Sequence, residues 1–249
     1  MAVDRFDFLE KEITDKVYSR LDLYDLIYRF FPTYNANSCN WVIGVLCQRG
    51  IINPLGKGYF QKGKPEWTYE LSAEQSRIAS KLISEFPYTE FAIIPSAAIN
   101  ALLGMFGGDD CLIVEVSKRD LFPCFMKLRE ITKRDVLLTP SAHELSYYMK
   151  PGAIVLIPLF SKSPIKENGR FCLEKLVVDL YCDRLFSNLY PHIEFNEICG
   201  SLIKENNVNI TLLLNYAKRR RCRDEIERDL QGVLSDEIYE KLIEGGALL

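Results

Sequence analysis

Asn37, Trp41, Gly44 and Gln48 recur at positions i, i+4, i+7 and i+11, so a helix would bring them to one face. The amides of Asn and Gln donate and accept in one plane, which suits hydrogen bonding to base edges in the major groove and bidentate pairing with adenine. Ser38 and Asn40 border the same face. A glycine inside a helix costs roughly 1 kcal/mol. Close approach of a DNA backbone or groove wall would account for Gly44, and so would tight packing against another helix. Between Asn35 and Lys64 the chain carries four cations, Arg49, Lys57, Lys62 and Lys64, and no Asp or Glu. In a chain of net charge −3 this is a local reversal. These cations, with Tyr59 among them, suit phosphate contacts. Four contacts would give a log–log salt slope of roughly −4 per protomer.

The elements that would hold this face follow from pattern and punctuation. A first helix is expected over about Asp4–Lys16. A second is expected over Asp22–Phe31, with Asp22 as its cap and Pro32 as its stop. The third runs to Arg49, with Gly50 as its C′ residue. In it Cys39, Val42, Ile43 and Leu46 follow i, i+3, i+4, i+7 spacing and form the buried stripe. Ile51–Asn53 and Tyr59–Gln61 read as strands around a Pro54–Gly58 turn. Three helices and a hairpin imply an N-terminal winged helix-turn-helix over residues 1–64, with the third helix and the hairpin as the DNA-binding parts. Lys62–Pro65 breaks the pattern and marks the expected boundary.

Residues 65–249 are expected to form one larger α/β domain. Strands at Phe91–Ile94, Cys111–Val116, Asp135–Thr139 and Ala153–Phe160 alternate with helices at Ala73–Phe86, Ser96–Phe106, Arg119–Thr132 and Ala142–Met149. A polar loop follows at Ser161–Gly169. The remainder is helical: Leu173–Phe186, Glu194–Glu205, Thr211–Arg221, and Asp224–Ile243 with a break near Gly232. Alternation of this kind implies a mixed or parallel sheet flanked by helices.

Other residues are of types that could do chemistry. Glu115 and Lys118 resemble the Glu-x-Lys pair of metal-dependent nucleases. Lys118 is three residues from Glu115, so strand alternation puts it on the opposite face. Asp109 and Asp110 lie too close upstream to supply the distant acid. The eight cysteines, Cys39, Cys47, Cys111, Cys124, Cys172, Cys182, Cys199 and Cys222, include no Cys-x-x-Cys pair, and His143 and His192 are the only histidines. No zinc or other cofactor is expected. No phosphate-binding glycine loop or nucleophile motif is present. His143 opens a helix beside Glu144, a surface or capping role. On the helix LEKLVVDLYCD, Leu173, Leu176, Val177 and Leu180 form the core stripe. Glu174, Lys175, Asp179 and Asp183 are then expected to face away, toward a partner. Lys218, Arg219, Arg220, Arg221 and Arg223 form a basic run that is a second candidate phosphate or RNA contact. On one helix, Arg220–Asp224, Arg221–Glu225 and Arg223–Glu227 would be i, i+4 pairs, which favours a solvated, salt-laced face. No stretch has the length of a membrane span, the opening residues lack a signal peptide's apolar run, and free thiols suit a reducing cytoplasm.

The stretch Ser19–Phe60, followed by FAIIPSAAINALLG, CLIVEVSK and LEKLVVDLY, resembles the AbiEi family, the antitoxins of type IV toxin–antitoxin pairs. The resemblance covers most of the chain. It implies a winged-helix repressor of its own promoter, whose C-terminal domain counters a nucleotidyltransferase toxin. The expected partners are therefore double-stranded operator DNA and that toxin. The alternatives are a nuclease-like or nucleotidyltransferase-like enzyme targeted by the winged helix, and a winged helix used only for protein interaction.

Overall fold

Ser19 opens the first long helix. Its hydroxyl accepts from the Asp22 N–H at 3.1 Å, and the Asp22 carboxylate accepts from the Ser19 N–H at 2.7 Å. This capping box satisfies two backbone donors at once. It also moves the cap from the expected Asp22 to Ser19. The structure is a computed structural model that describes residues 6–105, 111–148, 150–166, 169–190 and 195–242. Within it the chain begins with α1 (Asp7–Glu12), β1 (Tyr18–Ser19), α2 (Arg20–Phe30), α3 (Ala36–Gln48), β2 (Ile52–Gly56) and β3 (Tyr59–Lys62). Asn35 caps α3. Gly50, at φ +68°, closes it, with the N–H groups of Gly50 and Ile51 donating to Cys47 O and Leu46 O, both at 3.0 Å.

β1 was not expected. It pairs antiparallel with β3, giving a three-stranded sheet of order β1-β3-β2. That order leaves β2 at the edge, where Pro54, which has no N–H to give, is tolerated. The core beneath joins Leu9, Ile13, Leu23, Ile27, Cys39, Val42, Leu46, Ile52 and Phe60.

The middle of the chain supplies α4 (Ala73–Glu85), β4 (Phe91–Pro95), α5 (Ser96–Leu102), β5 (Leu112–Val116), a short 3₁₀ turn (Lys118–Asp120), α6 (Leu121–Ile131), β6 (Val136–Leu138), α7 (Ala142–Tyr148), β7 (Ile154–Pro158), α8 (Leu173–Cys182) and α9 (Arg184–Leu189). Four strands form a mixed sheet of order β4-β5-β7-β6, antiparallel between β4 and β5 and parallel elsewhere. Ile93, Leu112, Val114, Val116, Ile154 and Leu156 meet α4 and α6 in one core. Alternation turns Glu115 to the other face. Four helices follow: α10 (Phe195–Glu205), α11 (Ile210–Arg220), α12 (Arg223–Gln231) and α13 (Asp236–Leu242).

The chain is thus an α/β protein with two sheets, in two compact units. Met1–Trp67 and Glu194–Leu249 make one, and Thr68–Ile193 makes the other. The first limit falls beside the expected boundary at Lys64–Pro65. The assignment of 65–249 to one domain is corrected, because α10–α13 cluster with the N-terminal helices and hairpin. α11 packs on β2, so closely that a Cβ on Gly56 would lie 2.5 Å from Thr211 Cβ. Asn207 N–H donates to Pro65 O at 2.8 Å. Among the described residues no helix is long and apolar enough to cross a membrane.

Candidate nucleic-acid interface

α3 meets its core through Cys39, Val42, Ile43 and Leu46, all buried. The 3.6-residue period therefore turns Asn37, Asn40, Trp41, Gly44 and Gln48 to solvent, and all five are exposed. Trp41 keeps 58% exposure while its ring meets Phe6 edge-on at 5.8 Å. A Cβ at Gly44 would meet nothing within 4 Å. Packing among the described residues therefore does not account for this glycine. Ser38 serves the helix cap instead, its N–H donating to Asn35 Oδ1 at 2.9 Å and its hydroxyl at 3.2 Å.

Arg20 joins this surface, and spacing alone gave no sign of it. It opens α2 and donates from Nη1 to Asn40 Oδ1 at 2.8 Å. The bond leaves the Asn40 NH₂ with two donors to give. Arg49 is exposed at the end of α3, its guanidinium 5.8 Å from the Phe6 ring centre. Lys57 stands exposed at the hairpin tip with φ +48°. Lys62 is 52% exposed and 3.6 Å from Asp15, a loose pair of little energetic weight.

Two expected contacts are corrected. Lys64 is half-buried, its Nζ donates to Ile203 O on α10 at 3.1 Å, and burial pulls its pKa down. The Tyr59 ring is half-buried, with Lys241 Nζ 5.8 Å from its centre. Both residues were assigned to DNA because the sequence does not reveal that α10 and α13 cover this side of the hairpin.

The basic run lies on the same unit. Lys218, Arg219 and Arg221 are exposed, while Arg220 is half-buried and donates to the Tyr216 hydroxyl at 3.3 Å. Arg221, at φ +61°, ends α11. Asp224 and Glu225 therefore belong to a different helix from Arg220. Arg223 and Glu227 do pair within α12, at 2.6 Å.

The partner-facing assignment on α8 is corrected outright. Lys175 and Asp179 are completely buried and Glu174 nearly so. Lys175 Nζ donates to Glu115 Oε1 at 2.9 Å and also to Asp179 Oδ2. It lies 4.1 Å from the Phe171 ring centre. Asp183 is half-buried and caps α9, accepting from Leu185 N–H at 2.9 Å. Spacing alone cannot separate a charged stripe that faces water from one aimed at a buried counter-charge. Glu115 stands close to Lys175, while Lys118 is exposed beyond the strand end. The pair expected from the nuclease pattern is therefore not assembled; Asp109, Asp110 and His192 lie outside the described residues. His143 packs on Tyr147 at 4.5 Å, and Ser141 with Glu144 forms the cap of α7. None of the eight cysteines is joined in a disulfide, and five of them are buried. No group of three His, Cys, Asp or Glu able to hold a metal occurs among the described residues.

Burial pushes the Glu115 carboxyl up to about 7, against the opposing pull of Lys175. A carboxyl raised by folding holds its proton more tightly folded than unfolded. Its contribution is complete below the ordinary value of 4.5 and is lost as pH rises through about 7. Thermal melts should show stability falling between about pH 5 and about pH 7.5, and Glu115→Gln should flatten that fall. An equally steep fall in the variant would assign the dependence elsewhere.

The fold and this surface define a two-unit α/β protein that presents an exposed polar and cationic helix-and-hairpin face. It belongs to the family of unknown function DUF6577, whose model matches residues 38–235. No curated protein matches the sequence.

Proposed function

We propose that the protein is a DNA-binding transcriptional regulator acting in the cytoplasm. In this reading residues 1–64 form a winged helix, with α3 as the recognition helix and the β2–β3 hairpin as its wing. The order helix, strand, helix, helix, hairpin, with β1 added beside β3, supports it. The single observation that carries it is Gly44. A residue that weakens its helix stands on the exposed polar face, with no neighbour among the described residues that needs the space. A close external approach gives it a purpose. The resemblance to AbiEi antitoxins extends the proposal: the protein represses its own operon and counters a nucleotidyltransferase toxin. Glu115 and Lys118 are placed apart, which favours this regulatory reading over a nuclease-like one.

Gly44→Ala tests the carrying observation in two directions at once. Alanine should stabilise the protein by up to about 1 kcal/mol, since nothing among the described residues obstructs the new methyl group. The same methyl group should weaken binding to a duplex spanning the region upstream of its own reading frame. Anisotropy titrations and melts on one preparation give both answers. Higher stability with unchanged affinity would remove α3 from the interface. Gln48→Ala should instead blunt discrimination at one or two base pairs, by ~1–3 kcal/mol.

A further inference from the structure

The outer surface of α6, beside α4 on the second unit, carries two large apolar side chains that the described residues leave uncovered. Phe122 is 62% exposed and Met126 50%, one helical turn apart on α6. The Phe125 ring lies 6.2 Å from that of Phe122, with the Arg129 guanidinium 5.6 Å from its centre. The two helices are tied by Lys127, which pairs with Glu85 of α4 at 3.0 Å and with Glu130 at 3.2 Å. Exposed Phe and Met with a stacked Arg is the composition enriched where proteins dock.

The charges around this surface are one-sided. Its acids are engaged within the unit. Glu74 takes a two-pronged bond from Arg134 at 3.0 and 2.7 Å. Glu85 and Glu130 share Lys127. Asp120 accepts from Thr89 at 2.7 Å and from Arg119 at 3.0 Å. The exposed cations Lys81 on α4 and Lys118, Arg129 and Lys133 on or beside α6 have no acid partner among the described residues, and Arg77 shares Glu74 with Arg134. Arg77 and Lys81 also flank a small cleft floored by Ile78 and Ile131.

We propose that the α4–α6 face is a docking surface for an acidic amphipathic protein helix. The partner sets an apolar stripe against Phe122 and Met126 and carboxylates against Arg77, Lys81 and Arg129. Uncompensated cations would attract any polyanion. Two large apolar side chains in the middle of the field favour a polypeptide that can bury them over a nucleic acid. The surface belongs to the second unit, so the proposal does not depend on DNA binding by the first.

The full-length protein should bind a labelled helical peptide in which leucines repeat at i, i+3, i+4 and i+7 among glutamates. The same peptide with lysine for glutamate should not bind. Arg77→Glu, Lys81→Glu and Arg129→Glu together should weaken binding about tenfold or more, and more so at low salt. Phe122→Ser with Met126→Ser should weaken it by about the same factor at any salt. These residues are exposed, so unchanged melts should accompany each loss. Failure of the acidic peptide to bind would overturn the proposal, as would indifference to the Phe122 and Met126 changes. An oligouridylate that binds in place of the peptide and is lost on the charge reversals would reassign the face to nucleic acid. Self-association that disappears in the Phe122 and Met126 variant would reassign it to a second copy of the chain.

Discussion

Lys175→Met will destabilise the second unit by about 3–5 kcal/mol, the cost of removing one member from a buried ion cluster. Methionine can follow most of the path of the lysine chain, so packing changes little. The loss is electrostatic. Glu115 and Asp179 both stand against Lys175 Nζ, and the side chains of all three are at most 4% exposed. Without the ammonium, two carboxylates share a site that water does not reach. One must take up a proton, and the other remains buried without a counter-charge. Adding Glu115→Gln and Asp179→Asn to Lys175→Met removes the charges together and should restore a large part of the loss. Urea denaturation followed by circular dichroism measures both variants. If Lys175→Met alone leaves the midpoint in place, the cluster does not hold β5 and α8 together. If the triple variant is no better than the single one, the lysine contributes shape and not charge.

Neutralising Arg49, Lys57 and Lys62 together should weaken duplex binding for every sequence and flatten the log–log salt slope by roughly 3. Each of the three is exposed at the end of α3, the hairpin tip or the returning strand. The total expected near slope −4 is unchanged by the structure, although its membership is not. Lys64 leaves the set because its ammonium is held by Ile203 O, and Arg20 enters it beside Asn40. At about 1.5 kcal/mol for a hydrogen bond to a charged group, the triple variant should lose about a thousandfold in affinity at moderate salt. Added Arg20→Ala should take a further contact and also free the oxygen of Asn40, shifting base preference as well as affinity. Titrations across a salt series decide the matter. A triple variant with the parental slope would mean that phosphates are met elsewhere, and the Lys218–Arg221 run would be the next place to look.

The positions of most elements were readable because they are local. Pro32 and Gly50 each act on the turn in which they sit, and apolar spacing places the buried stripe of α3. β1 escaped notice because two residues carry no period; it exists by pairing with β3. The exposed face of α3 followed from its buried one. The contents of α8 did not. Leu176 and Lys175 are both buried, and only the arrival of Glu115 on a strand distant in sequence makes the second possible. Lys64 and Tyr59 were misread for a related reason. Periodicity shows which side of an element is covered, and it does not show by what. The helices that cover them come more than a hundred residues later.

That separation has a consequence during synthesis. The first unit is written in two instalments, Met1–Trp67 and Glu194–Leu249, with the whole of the second unit between them. On a ribosome making about 5–20 residues per second, the hairpin emerges many seconds before α11, the helix that packs on β2. For that interval the side of β2 that α11 covers must wait, and within it the middle unit is made in full. A nascent chain halted after α9 would therefore hold a finished second unit and an unfinished first one, with Gly56 still lacking the Thr211 side chain that lies against it.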